Sequence, residues 1–182
     1  MNQDTKDFIH SWTIKMSDIQ GNDLGALFNR YISLYILYNR LYNDSFRRLK
    51  ESNNLTKPRY SDFEKATTLV IQFNSANDII SRLKENNNSS DIETIANLIR
   101  NDIFNINLAD GVSQKLIDKQ LLDNLMNADV NIKSQAIFSI IYNVRNNMEH
   151  GEKHFEQHQR LLLEPLIKIL QTIVDLQVEN LT

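Results

Sequence analysis

Between residues 23 and 50 the chain reads DLGALFNRYISLYILYNRLYNDSFRRLK, and no other stretch restricts its fold as strongly. Leu24, Leu27, Phe28, Tyr31, Tyr35, Tyr38 and Tyr42 recur at the i, i+3, i+4 spacing of one helical face. Ile32, Ile36, Leu37 and Leu41 fill a second face. The spacing predicts a helix from about Asp23 to Lys50 that is apolar on nearly all sides. Such a helix must sit inside a shell of other helices. Asn39 and Arg40 interrupt the apolar run, so they need either partners or a cleft. The plainer reading is a hydrogen-bonded core Asn with Arg40 reaching out to solvent.

The rest of the chain supplies that shell. With only four Gly and two Pro in 182 residues, the sequence lacks the tight turns of an all-β fold. Ser61-Asp62-Phe63-Glu64 reads as a capping box opening a helix to about Asn86. Ser90-Asp91-Ile92-Glu93 reads as a second one, opening a helix to about Arg100. NDIFNINLADG is expected to be a connection, and Ser113 to Met126 helical with Leu116, Ile117, Leu121, Leu122 and Leu125 apolar. Asn131 is expected to cap the next helix, whose stripe is Ile137, Phe138, Ile141, Val144 and Met148, with Gly151 as its stop. A last helix is expected from about Phe155 to Val178, with Pro165 kinking it or marking its true start. The fold class is therefore all-α, a five- to six-helix bundle in a single domain over residues 22–182. Residues 1–21 form an N-terminal segment that packs on the bundle through Phe8, Trp12 and Ile14.

Composition removes several classes of function. No Cys means no disulfide framework, no zinc–thiolate site and no thiol nucleophile. A net charge of -3 with mixed signs leaves no nucleic-acid-binding tail, so any such contact needs a local basic cleft. No apolar run is long enough for a membrane span, and MNQDTKDFIHSWTIK has no apolar core of a signal peptide. A cytoplasmic protein without a membrane contact is expected. There is no Gly-rich phosphate loop, nucleophile elbow or carboxylate dyad, and no cofactor is expected. His150, His154 and His158 recur every four residues, but Gly151 breaks the register. They read as surface histidines, with no metal site assigned. Arg47, Arg48 and Lys50 complement the dipole at a helix end.

One constellation carries chemistry. AIFSIIYNVRNNMEHGEKHFEQ ends an apolar helical run in Arg145, Asn146, Asn147, Met148, Glu149 and His150. Asn146 and His150 are four apart and share a face. An imidazole at a helix C-terminus is held toward its charged form and titrates near neutrality, as an acid or base must. Arg145 offers a permanent charge in a fork matched to phosphate oxygens. Together they suit metal-free RNA cleavage, with Lys153 adding a phosphate contact. The same residues also read as an Arg145–Glu149 ion pair and a His150 cap on the last carbonyls.

YNVRNNMEHGEK resembles the R-x4-6-H motif of the HEPN superfamily, and FNRYISLYILYNRLYN is similar to the first-helix pattern of its bacterial members. The resemblance implies an all-α bundle, often a homodimer whose motif helices meet across a cleft. It implies a metal-independent endoribonuclease, as toxin or phage-defence effector, with an antitoxin partner where it belongs to a toxin pair. Other members are non-catalytic binding modules for nucleotide, RNA or a partner protein. Carried over, Arg145 and His150 are the motif pair and Asn146 the polar residue after the Arg. Glu152 stands where one subgroup carries a Tyr that a partner antitoxin modifies.

Overall fold

The computed structural model describes residues 1–149, with only the backbone at Glu149, and residues 157–182. Within them the chain is all-α apart from one two-residue ladder. Its helices are α1 (Gln3–Ser17), α2 (Leu24–Glu51), α3 (Asp62–Glu64), α4 (Val70–Asn74), α5 (Ala76–Glu85), α6 (Ser89–Arg100), α7 (Lys115–Leu125), α8 (Val130–Glu149) and α9 (Arg160–Leu181). No described helix is long and apolar enough to cross a membrane.

The central helix is α2. Asp23 caps it, its carboxylate accepting from the Ala26 amide at 2.9 Å. Tyr31, Tyr38, Leu41 and Tyr42 are fully buried, while Ile32 and Ile36 of its second apolar face are only partly covered. A buried Tyr must find a partner for its hydroxyl. Tyr31 donates to the Ile141 carbonyl of α8 at 2.7 Å, and Tyr38 donates to the Ala66 carbonyl. These two bonds, seven residues apart on one face, tie α2 to α8 and to the 65–69 turn, while α9 lies along its length.

The stretch expected as one helix from Ser61 to Asn86 is three. The Ser61–Glu64 capping box forms as expected, but a π-helical turn over Lys65–Leu69 follows α3 at once. The chain then breaks at Ser75, whose φ is 63°, a left-handed conformation that ends an α-helix. The same Ser75 hydroxyl caps α5 by accepting from the Asp78 amide at 3.2 Å. Among the described residues of 22–182 six helices have ten residues or more, within the five or six expected there, and α1 in the N-terminal segment is a seventh.

Other local readings are corrected too. Ser90 does not cap α6, because Asn88 precedes the helix and is itself buried. Its amide donates to Asp91 at 3.0 Å and accepts from Thr172 of α9 at 2.8 Å. Asn131 lies inside α8; the cap is Asp129, whose carboxylate accepts from the Asn131 and Ile132 amides at 2.7 and 3.2 Å. The 101–111 connection closes in a hairpin pairing Leu108–Ala109 with Val112–Ser113. Asp110 and Gly111 turn it with φ of 50° and 75°, the pattern of a type I′ turn. Leu116 and Ile117 face solvent, since α7 buries only the side carrying Asp118, Leu121 and Leu125. Helix α9 begins before Pro165 and runs through it, so the proline does not mark its start. The expected starts and stops at Phe155 and Gly151 lie outside the described residues.

The N-terminal segment is a helix, capped by Asn2 accepting from the Thr5 amide at 2.8 Å. Phe8 and Trp12 pack against the core, while Ile14 is half exposed. A buried polar contact fixes α1 on α2: Thr5 Oγ1 donates to Asp44 at 2.5 Å.

The capping box makes one pH dependence predictable. The Lys57 ammonium, then the Ser61 amide and hydroxyl, hold the Glu64 carboxyl down from 4.5 to about 2. A carboxyl lowered on folding stabilises above its unfolded value, and that contribution disappears as pH falls through the folded one. Glu64→Gln is therefore expected to melt at a lower temperature than the parent at neutral pH. The gap should close as pH drops from 4.5 toward 2 in thermal denaturation series. A gap unchanged across that window would remove the carboxylate charge from the account.

Candidate functional site

On α2, positions 32, 35, 36, 39, 40, 43 and 47 fall on one face of the helix, each three, four or seven residues from others in the set. That face is not fully covered. It forms the floor of a hollow of about 590 Å³, walled on one side by Asp4 and Phe8 of α1 and on the other by Arg145 of α8. The floor is the polar part of an otherwise apolar helix: Tyr35, Asn39, Arg40, Asn43 and Arg47 all line it.

Arg145 reaches this hollow because the α8 stripe is anchored. Ile137, Phe138, Ile141 and Val144 are buried, which turns the next residue toward the edge of the α2–α8 seam. Its guanidinium carbon sits 5.1 Å from the centre of the Tyr35 ring, a cation–π contact. It also donates to Asn146 Oδ1 at 3.0 Å, so Asn146 serves as an orienting partner of the arginine. The Tyr35 phenol is buried, and burial raises its pKa while the Arg145 charge opposes the rise.

Asn147 goes the other way. It is buried, and its amide donates to the Ile106 carbonyl at 2.9 Å. Asn143 donates to Asn107 Oδ1 at 2.8 Å, and Asp118 accepts from the Ile106 and Asn107 amides at 3.1 and 2.9 Å. This network gives the Ile106 and Asn107 backbone its hydrogen bonds and ties α8 to it. Two of the asparagines around the motif are therefore structural.

The Asn39–Arg40 interruption of the apolar run resolves into both a set of partners and a cleft. Asn39 donates to the Tyr42 hydroxyl, which donates to Asp62 at 2.9 Å. Arg40 donates to Thr5 Oγ1 from Nε and Nη2 at 3.1 and 2.9 Å and pairs with Asp4. Its guanidinium lies 5.6 Å from the centre of the Phe8 ring. Arg47 pairs with the buried Asp44. Arg48 donates to the Leu181 carbonyl at 3.0 Å, a tie to α9 beyond the dipole role expected for it.

His150 and Lys153 lie outside the described residues, as does His154. His158 packs its ring 5.0 Å from Phe104, and no group of three metal-ligating side chains occurs among the described residues. What the spacing rules missed is the company Arg145 keeps. Arg40, Arg47, Asn43 and Tyr35 come from a helix far away in sequence, and the one local sign of them was a polar break in an apolar run. Comparison with family models, with curated proteins and with solved structures finds no match for this chain.

Proposed function

We propose that the protein is a HEPN-like, metal-independent endoribonuclease, acting as a toxin or phage-defence effector and working as a homodimer. The observation that carries this reading is Arg145, set against the Tyr35 ring in a hollow large enough for a nucleotide and lined by amides and two further arginines. The sequence resemblance adds His150, which follows on the same segment. In this reading the ribose 2′-oxygen attacks the adjacent phosphorus. His150 takes the 2′ proton, the bond from phosphorus to the 5′ oxygen breaks, the departing 5′ oxygen takes a proton from water and His150 returns its own to solvent, leaving a 2′,3′-cyclic phosphate and a free 5′ hydroxyl. Arg145 stabilises the crowded phosphate while charge builds on its oxygens. Lys153 adds a contact to the strand, and a second copy of the chain doubles the positive potential of an acidic protomer.

The test is incubation of the full chain with labelled RNA in EDTA beside His150→Ala. Cleavage by the parent that disappears in the variant supports the nuclease. Binding without cleavage, weakened by Arg145→Ala, assigns instead a non-catalytic module using the same hollow. Indifference to both substitutions leaves a helical interaction protein with no site here.

A further inference from the structure

The hollow is longer than one phosphate requires. Tyr35 and Arg47 are twelve residues apart on α2, which is about 18 Å of helix at 1.5 Å per residue. Cationic groups stand along that length: Arg145 over Tyr35 at one end, Arg40 in the middle and Arg47 at the other. Tyr35 lines the hollow from a side chain that is 2% exposed.

Arg40 already holds an anion. The Asp4 carboxylate that pairs with it comes from a separate helix, and its side chain is 80% exposed. Asp4 meets the guanidinium at Nη2, a position a phosphate oxygen would take, while the buried Asp44 lies 3.9 Å from Arg40 Nε and pairs with Arg47. Phe8, beside the same guanidinium, puts an aromatic surface in the wall. Cations spaced along a groove, with aromatic surfaces between them, are how proteins follow a single nucleic-acid strand without reading its sequence.

We propose that the α2 groove is a track for single-stranded RNA, with Arg40 and Arg47 holding successive backbone phosphates beyond the one at Arg145. Asp4 is a competing carboxylate that the strand displaces from Arg40. This extends the nuclease reading, because the strand cut at Arg145 is the one that continues along α2.

The test is binding of a fluorescent 2′-O-methylated RNA strand of about ten nucleotides, within the range of single-strand site sizes, to the full chain. The methyl groups block attack by the 2′-oxygen, so binding is read apart from cleavage. Arg47→Ala, at a half-exposed side chain, is expected to weaken binding about tenfold. It should also flatten the plot of log affinity against log salt by about 0.7, one single-strand phosphate contact. Arg40→Ala should act likewise, and Asp4→Asn should tighten binding about threefold, by removing a competing charge. That gain cannot come from a folding defect. Unchanged affinity in both Arg47→Ala and Asp4→Asn overturns the track. So does inorganic phosphate competing as well as the strand. If His150→Ala abolishes RNA cleavage while Arg47→Ala and Asp4→Asn both bind as the parent does, the nuclease stands and the track falls. If strand binding depends on Arg40 and Arg47 but RNA is never cut, the track stands and the nuclease falls.

Discussion

Phe138→Ala is expected to lower the unfolding free energy by about 3–5 kcal/mol, the range for deleting a fully buried aromatic side chain. Phe138 is completely buried, and its ring stacks on Tyr38 with centroids 6.0 Å apart and planes 6° from parallel. Removing it takes a ring from the seam between α2 and α8 and leaves a cavity that two packed helices cannot close. Tyr31 bonded to Ile141 on the same seam resists the collapse that would soften the loss. Urea denaturation measures the effect, with Leu116→Ala as the control. Leu116 is 85% exposed, so its loss should stay within about 0.5 kcal/mol. A Phe138→Ala cost under about 1 kcal/mol would mean that this seam is not the core. The site depends on the result, since the same stripe holds Arg145 over Tyr35.

If the protein is the nuclease proposed above, Arg145→Ala is expected to reduce RNA cleavage by about 10²–10³-fold, the scale for removing one group that stabilises charge in a transition state. Arg145→Lys keeps the charge but not the planar fork, and should recover only part of that rate. Single-turnover cleavage in EDTA measures both. Thermal melts run beside them separate chemistry from folding, because the Tyr35 contact contributes only about 1 kcal/mol at a half-buried position. An alanine variant that cleaves within a few-fold of the parent would take Arg145 out of the chemistry. A loss that lysine restores in full would make it a simple counter-charge.

The elements of this protein were legible where their causes are local. Helix α2 follows from an apolar rhythm sustained on either side of Asn39 and Arg40, and its Asp23 cap and the Ser61–Glu64 box form from residues within one turn of each other. The Ser61–Asn86 reading failed at Ser75 and the π-helical turn, where nothing in the apolar spacing announces a break. Asn88 displaced the Ser90 cap because its partner, Thr172, is on α9, and no window along the chain contains both. Pro165 is inside α9 although its ring cannot donate to the ladder, since packing of the helix elsewhere outweighs one missing bond.

The candidate site divides in the same way. Arg145 and Asn146 could be picked out by residue type and spacing, and Asn39 and Arg40 drew notice as polar residues in an apolar helix. Periodicity and capping depend on neighbours three or four residues away, so a single sequence determines them: an all-α chain, a buried central helix and an arginine at the rim of a buried stripe. Which side chains meet across a groove depends on how separate helices cross. Only the tertiary structure decided that α1 would place Asp4 and Thr5 on Arg40, that Asn147 would turn inward to Ile106, and that Arg145 would lie over Tyr35.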